Sequence, residues 1–126
     1  MDKLIIKAKK NFPYIHLDPQ TGKLELKGKS SPEDAHEFYE PILNWLKEYS
    51  QNPAKKTVLE IYLNYFNTAS SKNIFYILRI MQSITETGNE VTIRWIYDKN
   101  DIDLKEAGED YAQIVDAPFE FVIINK

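Results

Sequence analysis

Between Thr57 and Tyr97 the hydrophobic period switches from 2 to 3.6 and back to 2, with helix-start and helix-stop residues at the joins. Thr57 to Phe66 is β-branched and aromatic, with Leu59, Ile61 and Leu63 on one face and Val58, Glu60, Tyr62 and Asn64 on the other. This predicts a central strand with unequal faces. Ile74, Ile77, Leu78, Met81 and Ile84 then follow at helical spacing. Asn67-Thr68-Ala69-Ser70-Ser71 supplies the start of that helix and Gly88 sits where a C-cap glycine belongs, giving about five turns. Val91, Ile93, Trp95 and Tyr97 alternate with Thr92, Arg94 and Ile96 in a further strand. Strands separated by a helix of that length need crossover connections.

The flanking segments extend the pattern. Ile15 and Leu17 alternate with His16 and Asp18, and Asp18-Pro19-Gln20-Thr21-Gly22 carries turn residues before Leu24 and Leu26, which predicts a β-hairpin. The lysine-rich segment from Met1 to Asn11 reads as loose, or at most a short edge segment. Ser31-Pro32-Glu33-Asp34 has a capping hydroxyl, a proline for the first helical position and acids for the first turn. Ala35, Phe38, Ile42, Trp45, Leu46 and Tyr49 form the apolar stripe that follows, with a kink expected at Pro41. Asp98-Lys99-Asn100-Asp101 turns into a third helix with Leu104, Ala107, Tyr111 and Ile114, and Phe119 to Ile124 is a last strand. The expected order is ββαβαβαβ in one α/β domain spanning 1–126, a single mixed sheet. Glu60, Asn64, Thr92, Arg94 and Glu120 all fall on the second face of their strands, so the three helices should cover mainly one face.

At 126 residues the chain can bury a core without disulfide or metal staples. Its net charge of −3 disfavours a polyanionic partner, so no nucleic acid is expected. Cysteine is absent, which removes thiolate ligands and cysteine nucleophiles. No apolar run approaches the roughly 20 residues of a membrane span, and charge breaks the N-terminal segment too early for a signal peptide. A cytoplasmic protein without membrane insertion is expected.

Catalytic and cofactor motifs are sparse. His16 and His36 are the two histidines, and both read as structural. Neither GxGxxG nor GxxxxGK[ST] is present, so no nucleotide loop and no cofactor is predicted. Asp98-Lys99-Asn100 with Glu109 falls short of a calcium loop, because Ile102 takes the fifth position and Asp103 the sixth, where glycine is needed. No metal site and no catalytic residue is therefore expected. Trp45 and Trp95 both fall on predicted core stripes. The remaining feature is the hydroxyl cluster Asn67-Thr68-Ala69-Ser70-Ser71-Lys72, where a central strand gives way to a helix N-terminus. Capping accounts for Asn67 or Thr68 and leaves the further hydroxyls unexplained. Phosphorylation is the alternative, since unpaired amides and the positive dipole end tolerate a phosphate there.

Leu26-Lys27-Gly28-Lys29-Ser30-Ser31-Pro32-Glu33, Phe38-Tyr39-Glu40-Pro41-Ile42, Tyr65-Phe66-Asn67-Thr68-Ala69-Ser70-Ser71-Lys72 and Trp95-Ile96-Tyr97-Asp98 together resemble the SiaC family of bacterial regulatory phosphoproteins. Glu106-Ala107-Gly108-Glu109 and Pro118-Phe119 extend the likeness over nearly the whole chain. The resemblance implies a fold similar to anti-sigma-factor antagonist (STAS-like) domains and a partner-switching role without enzymatic activity. It places the phosphoacceptor on Thr68. It also implies a cognate Ser/Thr protein kinase, a metal-dependent Ser/Thr phosphatase, and a diguanylate cyclase bound and activated by the unphosphorylated form, in cyclic di-GMP and biofilm control. Partner contacts are expected at Asn67, Ser70, Ser71 and Lys72, and at Ser31 and Glu33 by the first helix. Two positions depart from the family pattern: Ser30-Ser31-Pro32-Glu33-Asp34 stands where Ser-Tyr-Pro-Glu-Asn is usual, and Ala69 replaces the serine after the threonine. The competing expectation is a small-molecule-binding domain or minor enzyme, which would show a deep pocket lined by Arg94, Glu60 and His16 rather than a shallow surface around Thr68.

Overall fold

The computed structural model describes residues 1–125. In chain order the elements are β1 (Leu4–Ile6), β2 (Tyr14–Leu17), β3 (Lys23–Ser30), α1 (Ala35–Tyr49), β4 (Lys56–Phe66), α2 (Thr68–Thr85), β5 (Glu90–Asp98), α3 (Ile102–Ile114) and β6 (Phe119–Ile124). They build one six-stranded sheet whose spatial order is the chain order. β1, β2 and β3 pair antiparallel, whereas β3 through β6 are all parallel. All three β-α-β crossovers step in the same direction across the sheet, and strand twist gives such crossovers a single hand as a rule. The three helices therefore land on the same face.

Register explains which face they cover. Leu17, Leu24, Leu59, Ile93 and Phe119 form one cross-strand row, and Ile15, Leu26, Ile61, Trp95 and Phe121 form the next. These rows, apart from the exposed Phe121 on the edge strand, meet Ile42, Leu46, Ile74, Ile77, Leu78 and Met81 from the helices in one core. Each such aliphatic side chain, removed from water, contributes on the order of 1.5–3 kcal/mol. The intervening row, His16, Glu25, Glu60, Arg94 and Glu120, lies on the helix-free face.

Several local expectations change. The N-terminal segment forms an edge strand, so the order gains a strand at its start. Leu4 and Ile6 stand opposite Leu17 and Ile15 and pack on the core, which gives this short segment enough apolar contact to hold it. α1 begins later than expected. β3 runs to Ser30, and Ser31 stays at the strand end, its amide bonded to the Asn11 carbonyl and its hydroxyl donating to Asn11 Oδ1 at 3.3 Å. The cap is Asp34, whose Oδ1 accepts the Glu37 amide at 3.0 Å. α1 then runs through Pro41 as one helix. Its fully buried aromatics are Tyr39 and Tyr49, whereas Phe38 and Trp45 are half-buried at its flank, which corrects the reading of Trp45 as core. Trp95 is fully buried as expected. On α3, Ile114 is 58% exposed, and the position that presses on Trp95 is Gly108.

Candidate functional site

The parallel strands β3 and β4 end together where α2 begins. Gly28, at φ +115°, precedes a β-bulge after which Lys29 and Ser30 pair with Tyr65 and Phe66, so Asn64 is skipped. Simple alternation from Leu63 would send Tyr65 to the core. The bulge reverses the phase: Phe66 packs on the core with its ring edge-on to Trp95, and Tyr65 is half exposed to solvent beside Lys29. The Asn67 amide then donates to the Ser30 carbonyl at 3.0 Å, which fixes the point where the strand gives way to the helix.

Asn67 is the cap of α2. Its backbone is extended and its Oδ1 accepts the Ser70 amide at 2.8 Å. Thr68, the first helical residue, is exposed, and among the described residues its hydroxyl makes no hydrogen bond. The cap is therefore Asn67, which leaves the Thr68 hydroxyl exposed. The Ser71 hydroxyl donates to the Thr68 carbonyl at 2.7 Å.

Beneath Thr68 lies a set of buried hydroxyls that sequence reasoning missed. Tyr39 OH is 2.5 Å from Ser30 Oγ, which donates to Ser70 Oγ at 2.9 Å, and all three residues are fully buried. Tyr111 OH donates to the Ser71 carbonyl at 2.7 Å. Burial pushes the Tyr111 phenol up to about 12 and raises that of Tyr39 as well. The first turn of α2 is therefore tied to β3, α1 and α3 at once, so Thr68 stands on an anchored turn. Only the hydroxyls of Ser30 and Ser70 hint at this in sequence; Tyr111 reads as an ordinary helix-stripe aromatic, and Tyr39 falls outside the predicted stripe of its helix.

The expected contact residues separate. Asn67, Ser71 and Lys72 surround Thr68. Ser70 stands apart from them, fully buried with its hydroxyl engaged in the core by Ser30. Ser31 lines an open depression with Lys29, Asn64 and Tyr65, on the strand side of the same edge. Glu33 lies apart, in a groove of about 530 Å³ with Ile6, Lys9, Phe12, Phe38 and Pro41. Among the described residues, the depression at Glu60 and Arg94 on the helix-free face is open, unlike the deep pocket the competing reading required. Arg94 bonds Glu60 and reaches Glu120 Oε1 at 3.4 Å, and Arg94 and Glu60 line an open depression of about 310 Å³ that His16 does not line. Burial opposes ionisation of Glu25, but Lys27 at 2.7 Å and Lys23 at 3.5 Å outweigh it and hold the carboxyl below its usual range. Among the described residues, no group of three or more His, Asp or Glu is arranged to hold a metal ion, and no helix is long and apolar enough to cross a membrane.

Several proteins of Pseudomonas aeruginosa are similar to this chain. An uncharacterised protein of that organism is 29% identical over 119 residues, 94% of each chain. The crystal structure of apo-SiaC superposes with a TM-score of 0.86 at 25% identity, covering 97% of this chain and 99% of that one. The crystal structure of the diguanylate cyclase SiaD in complex with its activator SiaC contains a chain that matches with a TM-score of 0.90 at 27% identity, over 96% of this chain and 99% of that one. The family model for SiaC family regulatory phosphoproteins matches residues 6–124, and the chain belongs to that family.

Proposed function

We propose that this protein is a phosphorylation-controlled partner switch whose unphosphorylated form binds and activates a diguanylate cyclase, with Thr68 as the phosphoacceptor. The relative in the complex is the activator of the cyclase SiaD, and the same fold extends over nearly all of this chain. The observation that carries the assignment is the contrast within one helical turn: the Thr68 hydroxyl is exposed and unbonded, whereas that of Ser70 is buried and engaged. A kinase can reach the first without opening the core. A cognate Ser/Thr kinase transfers the γ-phosphoryl group of ATP to Thr68, and a metal-dependent phosphatase releases it to water. The chain itself is a cytoplasmic binding module and performs no catalysis.

Phosphate adds about −1.5 to −2 charges at a helix start whose free amides tolerate it, so the fold survives modification. A partner packed over Asn67, Thr68 and Ser71 has to desolvate that charge, at a cost of several kcal/mol unless it supplies an arginine. Thr68→Ala should keep partner binding and lose its regulation, while Thr68→Asp should weaken binding with stability nearly unchanged. Quantitative mass spectrometry after incubation with the cognate kinase tests the site. Phosphate on Ser71 in place of Thr68, or a phosphorylated form that activates the cyclase as well as the unmodified one, refutes the assignment.

A further inference from the structure

The three helices differ sharply in charge. α1 carries Glu37, Glu40 and Glu48 against Lys47, and α3 carries Asp103, Glu106, Glu109 and Asp110 against Lys105. α2, between them on the sheet, has no acidic residue from Thr68 to Thr85, although the chain as a whole has 19 acids and a net charge of −3. Its two cations, Lys72 and Arg79, share its outward stripe with Thr68, four and eleven residues further along the helix. Each cation lies over an aromatic ring of the same helix. Lys72 Nζ is 5.9 Å from the centroid of Tyr76, and Arg79 Cζ is 5.7 Å from that of Phe75. Among the described residues neither cation has a carboxylate partner. Tyr76 is 41% exposed, which gives the stripe a large amphipathic side chain of the kind that anchors protein interfaces.

We infer that this outward stripe of α2, from Thr68 through Lys72 and Tyr76 to Arg79, is the docking surface for an acidic surface of the regulated cyclase, and that phosphate on Thr68 acts by cancelling the stripe's charge. The inference rests on the function proposed above. Charge complementarity selects the partner: an acidic protein surface narrow enough to meet α2 alone gains from its two unpaired cations, while the acids of α1 and α3 repel a broad polyanion such as a membrane or a nucleic acid. The phosphate lies one helical turn before Lys72. At that spacing its two negative charges compete for the cation and offset the +2 of the helix, so an acidic partner meets a neutral or repulsive stripe.

The test measures binding of the purified source-organism cyclase by calorimetry at low and high ionic strength. K72E/R79E should weaken binding on the order of tenfold or more at low salt, with the deficit narrowing as salt rises, while the α3 control K105E changes little. K72Q/R79Q, which removes charge without reversing it, should show a smaller loss in the same direction and decides the matter if K72E/R79E fails to fold by circular dichroism. Unchanged affinity in the folded variants overturns the docking surface while leaving Thr68 control intact. If the wild-type chain does not bind the cyclase at all, the proposed function falls and this inference falls with it. Retention of the wild type, and not of K72E/R79E, on phosphatidylserine vesicles would also overturn it, by assigning the stripe to a lipid surface.

Discussion

Replacing Gly108 by alanine sets two well-characterised effects against each other. Gly108 is inside α3, where glycine is about 1 kcal/mol less favourable than alanine, so helix propensity alone predicts a stabilised variant. Packing predicts the opposite. A Cβ at position 108 would sit 2.4 Å from Trp95 Cδ1, 2.5 Å from Nε1 and 2.8 Å from Cγ, so about 1 Å of room has to be found. The indole cannot supply it. Trp95 is fully buried, its Nε1 donates to the Leu104 carbonyl at 2.8 Å, and the rings of Phe66 and Tyr111 flank it. α3 must therefore lift off the sheet. Overpacking of this kind costs about 1–3 kcal/mol, and a stretched or lost buried hydrogen bond adds about 1–3. After the propensity gain, Gly108→Ala should destabilise by about 1–5 kcal/mol, lowering Tm by roughly 4 °C per kcal/mol for a domain of this size. Urea denaturation monitored by tryptophan fluorescence and circular dichroism measures it. A variant as stable as the wild type, or more so, would show that α3 accommodates the methyl group freely and that the tight approach to Trp95 is not a packing constraint.

Two further outcomes follow from the same geometry. Trp45→Ala should cost about 1.5–3 kcal/mol, less than the 3–5 typical of a fully buried tryptophan, because Trp45 is half-buried on Tyr49 and held by its Nε1–Asp2 carbonyl bond of 2.8 Å. Hydrogen exchange at Leu4–Ile6 should accelerate in that variant, and unchanged exchange there would show that Trp45 does not tether the edge strand. The Tyr111 phenol, pushed by burial from 10 to about 12, has its folded pKa above its unfolded one, so its contribution is intact below pH 10 and is lost as pH rises from 10 towards 12. Urea midpoints across that window should fall less steeply in Tyr111→Phe than in the wild type; equal slopes would remove Tyr111 as the alkaline sensor.

Wherever a side chain's environment is set by neighbours in the chain, its role could be read directly. The stripe Ile74, Ile77, Leu78, Met81 and Ile84 is buried as a helical period requires, and Leu59, Ile61 and Leu63 face the core as alternation requires. The residues that misled are those whose place depends on a distant segment. Ser31 has every mark of a cap, yet its hydroxyl is bound to Asn11 and the role passes to Asp34. Phe38 and Trp45 satisfy the helical period as well as Tyr39 does, but the sheet lies under Tyr39, whose hydroxyl meets Ser30. Leu4 and Ile6 look too brief a segment to order until Leu17 and Ile15 stand opposite them.

The candidate site shows the same division. That a hydroxyl-rich helix start follows a central strand at Asn67 is determined by sequence alone, because capping and hydrophobic periodicity are local properties of the chain. Which hydroxyl is free is not local. The bulge opposite Gly28 turns Tyr65 outward and Phe66 inward, and the depth of the first turn against Ser30 and Tyr39 then buries Ser70 while leaving Thr68 in solvent. Two similar side chains two residues apart thus receive opposite fates from their rotation about the helix axis relative to the sheet, a quantity that exists only once β3, α1 and α2 have packed together.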